Sequence, residues 1–337
     1  MVKKILLVVV ILILGGVVVW LVFNSEVVYS PKGESKSVEA KKLEKYDFDE
    51  LKKRQGVASD IKILGKPVDV INRRRDYQVD YKVTWESRVF SFKSNGKTIT
   101  GMLNYYNDGL KRPVIIMIRG FAESAGYYTG SGSWKAADKL AEVGFVTASI
   151  DFLGFAGSDN ESSDILEARF EKVVSVLDLI ESVKKLPYVD SNRIGIWAHS
   201  NGGQIALSVL EVTGGNYPTS LWAPMTQKFP ESVLSTIDEN SPVKLVIEEF
   251  QRHYDARRYA FENYYSWING PVVIHQGTAD EWCEVEWQQE VVNKLKSFGK
   301  QASLFIYKGD DHNLSKNWDE ILRNDVEFFK RNVILGT

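Results

Sequence analysis

Apolar and polar positions along the chain fall into three regimes. Residues 5–23, ILLVVVILILGGVVVWLVF, are apolar without interruption behind Lys3 and Lys4. At about 1.5 Å per residue, a helix of that length nearly spans a ~30 Å hydrocarbon core. The run exceeds the roughly 7–15 apolar residues of a cleaved signal peptide, and Asn24-Ser25-Glu26 after it is a poor cleavage site. The pattern predicts an uncleaved single-pass anchor over residues 1–24. Lys3 and Lys4 favour a cytoplasmic amino terminus and an extracytoplasmic body. Residues 25–80 are charged and poor in large apolar side chains, so they are expected to form a stalk or lead-in with one short helix around Phe48–Arg54.

The third regime, residues 81–337, alternates regularly. Two alternating runs, Arg88–Phe92 and Thr98–Tyr105, flank Ser94-Asn95-Gly96-Lys97, and Asn-Gly is a strong hairpin signal. Continuous apolar runs then predict strands buried on both faces at VIIMIRG after Pro113, at FVTASID from Phe145, at RIGIWAH from Arg193, at SLWAP, at PVVIHQG from Pro271 and at SLFIYKG. Between them lie helical patterns at Trp134–Val143, Asp164–Leu186, QIALSVLEV, Trp287–Phe298 and Trp318–Phe329. Such alternation implies an α/β fold with a mostly parallel central sheet and helices on both faces. The rhythm breaks over residues 225–268, an aromatic, helix-flavoured stretch that reads as a small cap insertion.

Charge and composition narrow the partners. Forty-two basic against 44 acidic residues give a net charge of −2, so no global field draws the chain to nucleic acid, and Arg73-Arg74-Arg75 reads as a solvated turn. The single cysteine, Cys283, excludes an intramolecular disulfide and a cysteine-rich metal site. Four histidines, at 199, 253, 275 and 312, form no His-x-x-x-His pattern, so neither a metal nor another cofactor is expected. His199 and His275 read as packed beside or within the sheet, and His253 as exposed.

One segment carries chemistry. In Ile194-Gly195-Ile196-Trp197-Ala198-His199-Ser200-Asn201-Gly202-Gly203, a buried strand meets a helix through a tight turn with serine at its tip. Ala198, Gly202 and Gly203 supply the small residues that such a close strand–helix approach needs. A serine hydroxyl is a weak nucleophile, so a base must take its proton and a third group must orient that base.

Here the chain resembles the α/β-hydrolase family over roughly residues 85–332. Gly277-Thr278-Ala279-Asp280 is similar to the family's strand-end G-x-x-D, and Gly309-Asp310-Asp311-His312 to its late G-x-x-H, in the family's order of nucleophile, acid and histidine. The resemblance implies Ser200 as nucleophile, His312 as general base and acid, and Asp280, with Glu281 as its rival, as the group orienting the imidazole. It places the oxyanion between the backbone N–H groups of Phe121 and Asn201. Asp151 to Asp159 resembles the family's D-x-x-G-x-G-x-S turn and reads as structural. The family's His-Gly of the oxyanion loop is Arg119-Gly120 here, with Arg119 expected to pair with a nearby carboxylate. Asp310 and Asp311 read as turn formers.

Ala-His-Ser-Asn-Gly-Gly, His-Gln-Gly-Thr-Ala-Asp and Gly-Asp-Asp-His-Asn look most like the prolyl-oligopeptidase (S9) catalytic domain and the dienelactone-hydrolase and esterase branches. The implied activity is that of a membrane-tethered serine hydrolase without a cofactor, acting on a small-molecule ester or a peptide. A carboxylesterase is the first expectation, because the sequence leaves no room for the propeller of prolyl oligopeptidases. A serine peptidase or aminopeptidase, a non-catalytic binding protein of the same fold and a bilayer lipase are the alternatives.

Overall fold

The computed structural model describes residues 42–68 and 85–336. The expected anchor, the rest of the expected stalk and the Arg73–Arg75 triplet lie outside the described residues. Among the described residues, no helix is long and apolar enough to cross a membrane.

Asn95 and Gly96, at φ 47° and 80°, turn the predicted hairpin tightly enough for Ser94 to face Lys97. Its arms belong to a nine-stranded sheet formed by β1 (Lys62–Leu64), β2 (Glu86–Ser94), β3 (Lys97–Tyr105), β4 (Arg112–Ile118), β5 (Val146–Ile150), β6 (Val189–His199), β7 (Thr219–Trp222), β8 (Val272–Gly277) and β9 (Ala302–Tyr307). Their spatial order is β1-β2-β3-β5-β4-β6-β7-β8-β9. Pairing is antiparallel from β1 through to β5 and parallel from there to β9. This is the expected α/β architecture, with β1 added to its outer edge.

Successive residues of a strand point to opposite faces, and β4 shows both faces buried. Val114, Ile116 and Ile118 belong to one core, and Ile115 and Met117 to the other. The helices, in chain order, are α1 (Phe48–Arg54), α2 (Trp134–Glu142), α3 (Ile165–Val183), α4 (Asn201–Thr213), α5 (Glu231–Leu234), α6 (Val243–His253), α7 (Val285–Ser297) and α8 (Trp318–Phe329). Apolar residues of α3, α4 and α7 fill the first core, and those of α2 and α8 the second. Asp164 caps α3 by accepting from the N–H groups of Leu166 and Glu167.

Residues 43–67 correct the expectation of a stalk. The compact unit starts at Leu43, and Leu43, Tyr46, Phe48 and Leu51 are buried in the first core. Asp47 pairs with Arg258, Phe48 stacks on Tyr264 at 4.4 Å, and the Leu43 N–H donates to the Tyr254 hydroxyl. The segment therefore docks on the insertion between β7 and β8. Farther along, Arg54 makes a two-pronged ion pair with the buried Asp178 of α3, which also accepts from the Val57 N–H and the Ser94 hydroxyl. The charged surface residues of this stretch conceal a short apolar face, which composition averaged over 56 positions does not register.

Leu51→Ala should destabilise the protein by about 2–4 kcal/mol, the usual cost of truncating a buried leucine. Chemical denaturation reads this directly. A change below about 0.5 kcal/mol would mean that the segment is not part of the folded core.

Candidate active site

β6 is buried from Ile194 to Ala198 and passes directly into α4 through Ser200. Ser200 stands at φ 55° and ψ −125°, a backbone that costs a residue with a Cβ about 1–3 kcal/mol. Three 2.9 Å hydrogen bonds hold it: its N–H donates to Trp222 O, and its own carbonyl accepts from the N–H groups of Gly203 and Met225. The loop after β4 lies against the serine because Gly120 has no side chain; a Cβ there would sit 2.7 Å from Ser200 Cβ. Likewise, a Cβ on Gly202 would sit 2.4 Å from Ile118 O.

The structure brings the three separated residues together. His312 Nε2 lies 2.9 Å from Ser200 Oγ, and His312 Nδ1 lies 3.0 and 2.9 Å from the two carboxylate oxygens of Asp280. An ionised carboxylate only accepts, so Nδ1 carries the proton and Nε2 is left to accept from the Ser200 hydroxyl. Burial pushes the Asp280 carboxyl up, but donation from His312, the Trp282 N–H, Gln276 and the Cys283 N–H outweighs it and brings the pKa below the ordinary value. The carboxylate is therefore charged at neutral pH. Glu281 is exposed and takes no part in this arrangement. Phe121 and Asn201 line the same cavity as Ser200 and His312, and Phe121 is 81% exposed.

His199 has a role that its place in the sequence did not signal. Its Nε2 donates to the backbone carbonyl of His312 over 3.0 Å, with the two rings 5.0 Å apart. Burial pushes its pKa down to about 4, so the ring is neutral and steadies the loop that carries His312. His275 is buried between Tyr307 and Asp325, and His253 is on the surface beside Glu249, as expected of both. Asp310 accepts from the N–H groups of Lys316 and Asn317, and Asp311 from those of Asn313 and Ser315, so both shape the turn.

Arg119 departs from its expected pairing. Its guanidinium donates to the carbonyls of Gly120 and Asp151 and to the Tyr127 hydroxyl. Tyr127 in turn donates to the Asp151 carboxylate over 3.0 Å. Arg119 therefore meets the carboxylate only through Tyr127 and braces the loop after β4. In the turn that follows β5, Asp151 accepts from the Thr100 hydroxyl and Asp159 from the Thr98 N–H, a structural role as expected.

Asp280, Cys283 and His312 place potential metal-ligand atoms within 4.8 Å of one another. Asp280 and His312 are committed to each other, and burial pushes the Cys283 thiol well above its ordinary pKa. A metal needs the thiolate, so this trio is a poor ligand set.

A cavity of about 840 Å³ opens at Ser200. Apolar side chains from the amino-terminal segment (Tyr46, Phe48, Leu51) and from the insertion (Met225, Phe229, Tyr259) line it, with Trp282 near the acid loop. Arg169, Lys172 and Gln204 also face it. Sequence reasoning missed these three, because helical spacing alone made them ordinary polar positions of α3 and α4.

The model of the prolyl oligopeptidase family matches residues 133–334. A Schizosaccharomyces pombe protein, named provisionally a dipeptidyl aminopeptidase, is 25% identical over 223 residues, which is 64% of this chain and 25% of that protein. The chain thus spans about a quarter of the length of that relative. Among solved structures, an acetyl xylan esterase from Paenibacillus sp. R4 superposes with a TM-score of 0.60 at 15% identity, covering 83% of this chain and 91% of that one. A Pyrococcus furiosus esterase superposes with a TM-score of 0.57 at 16% identity, covering 73% and 93%. The fold is that of the α/β-hydrolases, and the chain belongs to the prolyl oligopeptidase family.

The depressed pKa of His199 makes stability depend on pH. Between the ordinary histidine value of about 6.5 and about 4, the unfolded chain binds a proton that the folded one refuses, so stability falls as pH falls through that window. His199→Gln should make the loss between pH 7 and pH 4 shallower by about 1–3 kcal/mol. Denaturant titrations at the two pH values would show it, and equal losses in both proteins would refute it.

Proposed function

We propose that the protein is a serine hydrolase that cleaves carboxylic esters through an acyl-serine intermediate. The observation that carries this reading is the placement of His312 between Ser200 Oγ at 2.9 Å and the Asp280 carboxylate. His312 Nε2 takes the hydroxyl proton as Oγ bonds to the substrate carbonyl carbon, and the imidazolium that forms is stabilised by Asp280. The carbonyl oxygen gains negative charge and is met by the backbone N–H groups of Phe121 and Asn201 at the start of α4. Collapse of this intermediate breaks the ester bond, and His312 returns its proton to the leaving alkoxide. A water molecule, deprotonated by His312, then releases the acid and restores the serine.

The cavity wall supports an ester over an aminopeptidase substrate. An aminopeptidase must hold an ammonium group, which calls for carboxylates. Glu161 is the single carboxylate among the described lining residues, and it is exposed and shares the wall with Arg169 and Lys172. The rest of the wall is largely apolar, as befits an acyl or alcohol group. Peptide cleavage is the second reading, favoured by the family match and by the provisional name of the fission-yeast relative.

A fluorophosphonate probe should label the protein at Ser200, and Ser200→Ala should abolish labelling. p-Nitrophenyl esters should turn over faster than amino-acyl anilides; activity on the anilides alone would reverse the order of the two readings. Asp280→Asn should lower kcat by about 10³–10⁴-fold while leaving the fold intact, because an amide can present its N–H to Nδ1 and stabilise the wrong tautomer. A loss below about tenfold would remove Asp280 from the proposed mechanism.

A further inference from the structure

Arg169 projects from α3 to the cavity wall, partly exposed there. Its Nη2 donates to the side-chain oxygens of Gln204, on α4, and Ser232, in the insertion. Both acceptors are neutral. Among the described residues, no carboxylate pairs with the guanidinium, and its Nε and Nη1 make no hydrogen bond. Surrounding protein pushes its pKa down to about 10, with no opposing charge to hold it up. Lys172, one turn farther along α3, lines the same wall and makes no ion pair within hydrogen-bonding reach among the described residues.

The neighbouring acids are engaged elsewhere. Glu167 bonds to Lys45, Tyr46 and Ser162, and Glu171 to Lys97 and Ser162. Glu161, exposed on the cavity wall, is the carboxylate whose field offsets Lys172 the most. Arg169 and Lys172 are both half-buried, and a cation drawn partly out of water is stabilised by an opposite charge. Two cations sharing a largely apolar wall are therefore suited to an anion that arrives with the ligand.

Position relates this charge to the chemistry. Gln204 stands about one turn into α4, which begins directly after Ser200, and both residues line the cavity. The group that holds Arg169 thus lies about one helical turn from the proposed nucleophile. Planar guanidinium is also the side chain best matched to a carboxylate, which it can grip through two N–H donors.

We propose that Arg169, with Lys172 beside it, forms an anion subsite of this cavity, and that the ester cleaved at Ser200 carries a free carboxylate a few bonds from its scissile carbonyl. This rests on the hydrolase reading above and names its substrate class.

Matched ester pairs test it. One pair carries the charge on the acyl side: mono-p-nitrophenyl glutarate against p-nitrophenyl valerate. The other carries it on the alcohol side: 4-acetoxybenzoate against its methyl ester. In at least one pair, kcat/KM for the charged member should exceed that of the neutral member by about tenfold or more, and the responding pair identifies the side. Arg169→Gln should remove that preference by lowering kcat/KM about tenfold more on the charged ester than on its neutral partner, while Arg169→Lys should keep part of it. Absence of preference in both pairs of the unaltered protein would overturn the proposal, even if the glutamine variant does not fold. A preference that survives Arg169→Gln, or an equal loss on charged and neutral esters, would also overturn it; an equal loss would make Arg169 a brace between helices.

Calorimetric binding of glutarate to Ser200→Ala separates the two readings. Arg169-dependent glutarate binding in a protein that neither labels nor turns over any ester would keep the subsite and end the hydrolase reading. Turnover of neutral esters without charge preference and without glutarate binding would do the reverse.

Discussion

The backbone of Ser200, at φ 55° and ψ −125°, is a conformation that the chain must be forced to keep. Its opponents are local: a Cβ that prefers another region, and a helix start and strand end that crowd each other. Its supports are distant in sequence. Trp222 and Met225 bond to the serine from the end of β7 and the residues after it, and the loop after β4 closes over it at Gly120. The strain is tolerable because parallel pairing of β4, β6 and β7 brings all three strand ends to one edge of the sheet. From that edge the serine hydroxyl projects into the cavity, and the loops after β8 and β9 bring Asp280 and His312 to it.

A second layer of support surrounds the three side chains. Asp280 stays charged although buried, because four donors converge on it. His199 stays neutral for the opposite reason: burial disfavours its cationic form more than the carboxylates of Asp280 and Asp311 favour it, which leaves its Nε2–H to grip the carbonyl of His312. One histidine is thus a fixed donor to the backbone of the other. Arg119 has a comparable holding function on the other side, tying the loop after β4 to the turn after β5.

The cavity itself is made by parts that are remote from the chemistry. Tyr46, Phe48 and Leu51 close one side, and the insertion between β7 and β8 closes another. The two are fastened to each other through Asp47 with Arg258 and Phe48 with Tyr264. The shape of the cavity therefore depends on how this short segment seats against the insertion. The proposed anion subsite adds the charge left uncompensated at Arg169.

Outside the insertion at residues 225–268, periodicity located the strands from Phe145 to Tyr307 and the helices between them, because a strand buried on both faces and an amphipathic helix leave different and regular apolar patterns. The family resemblance picked out Ser200, Asp280 and His312, each just past one of these strands, where a parallel sheet collects its loops. Other features have no such pattern. The docking of residues 43–54 depends on apolar side chains finding partners far along the chain, such as Tyr46 with Phe170 and Phe48 with Tyr264. The hold of His199 on His312, the indirect tie of Arg119 to Asp151 and the isolation of Arg169 depend on which groups happen to surround a side chain after folding. Local order is written along the chain because backbone sterics and hydrophobic spacing act over a few residues. Pairing, burial and charge balance act across space, so only the folded molecule decides them.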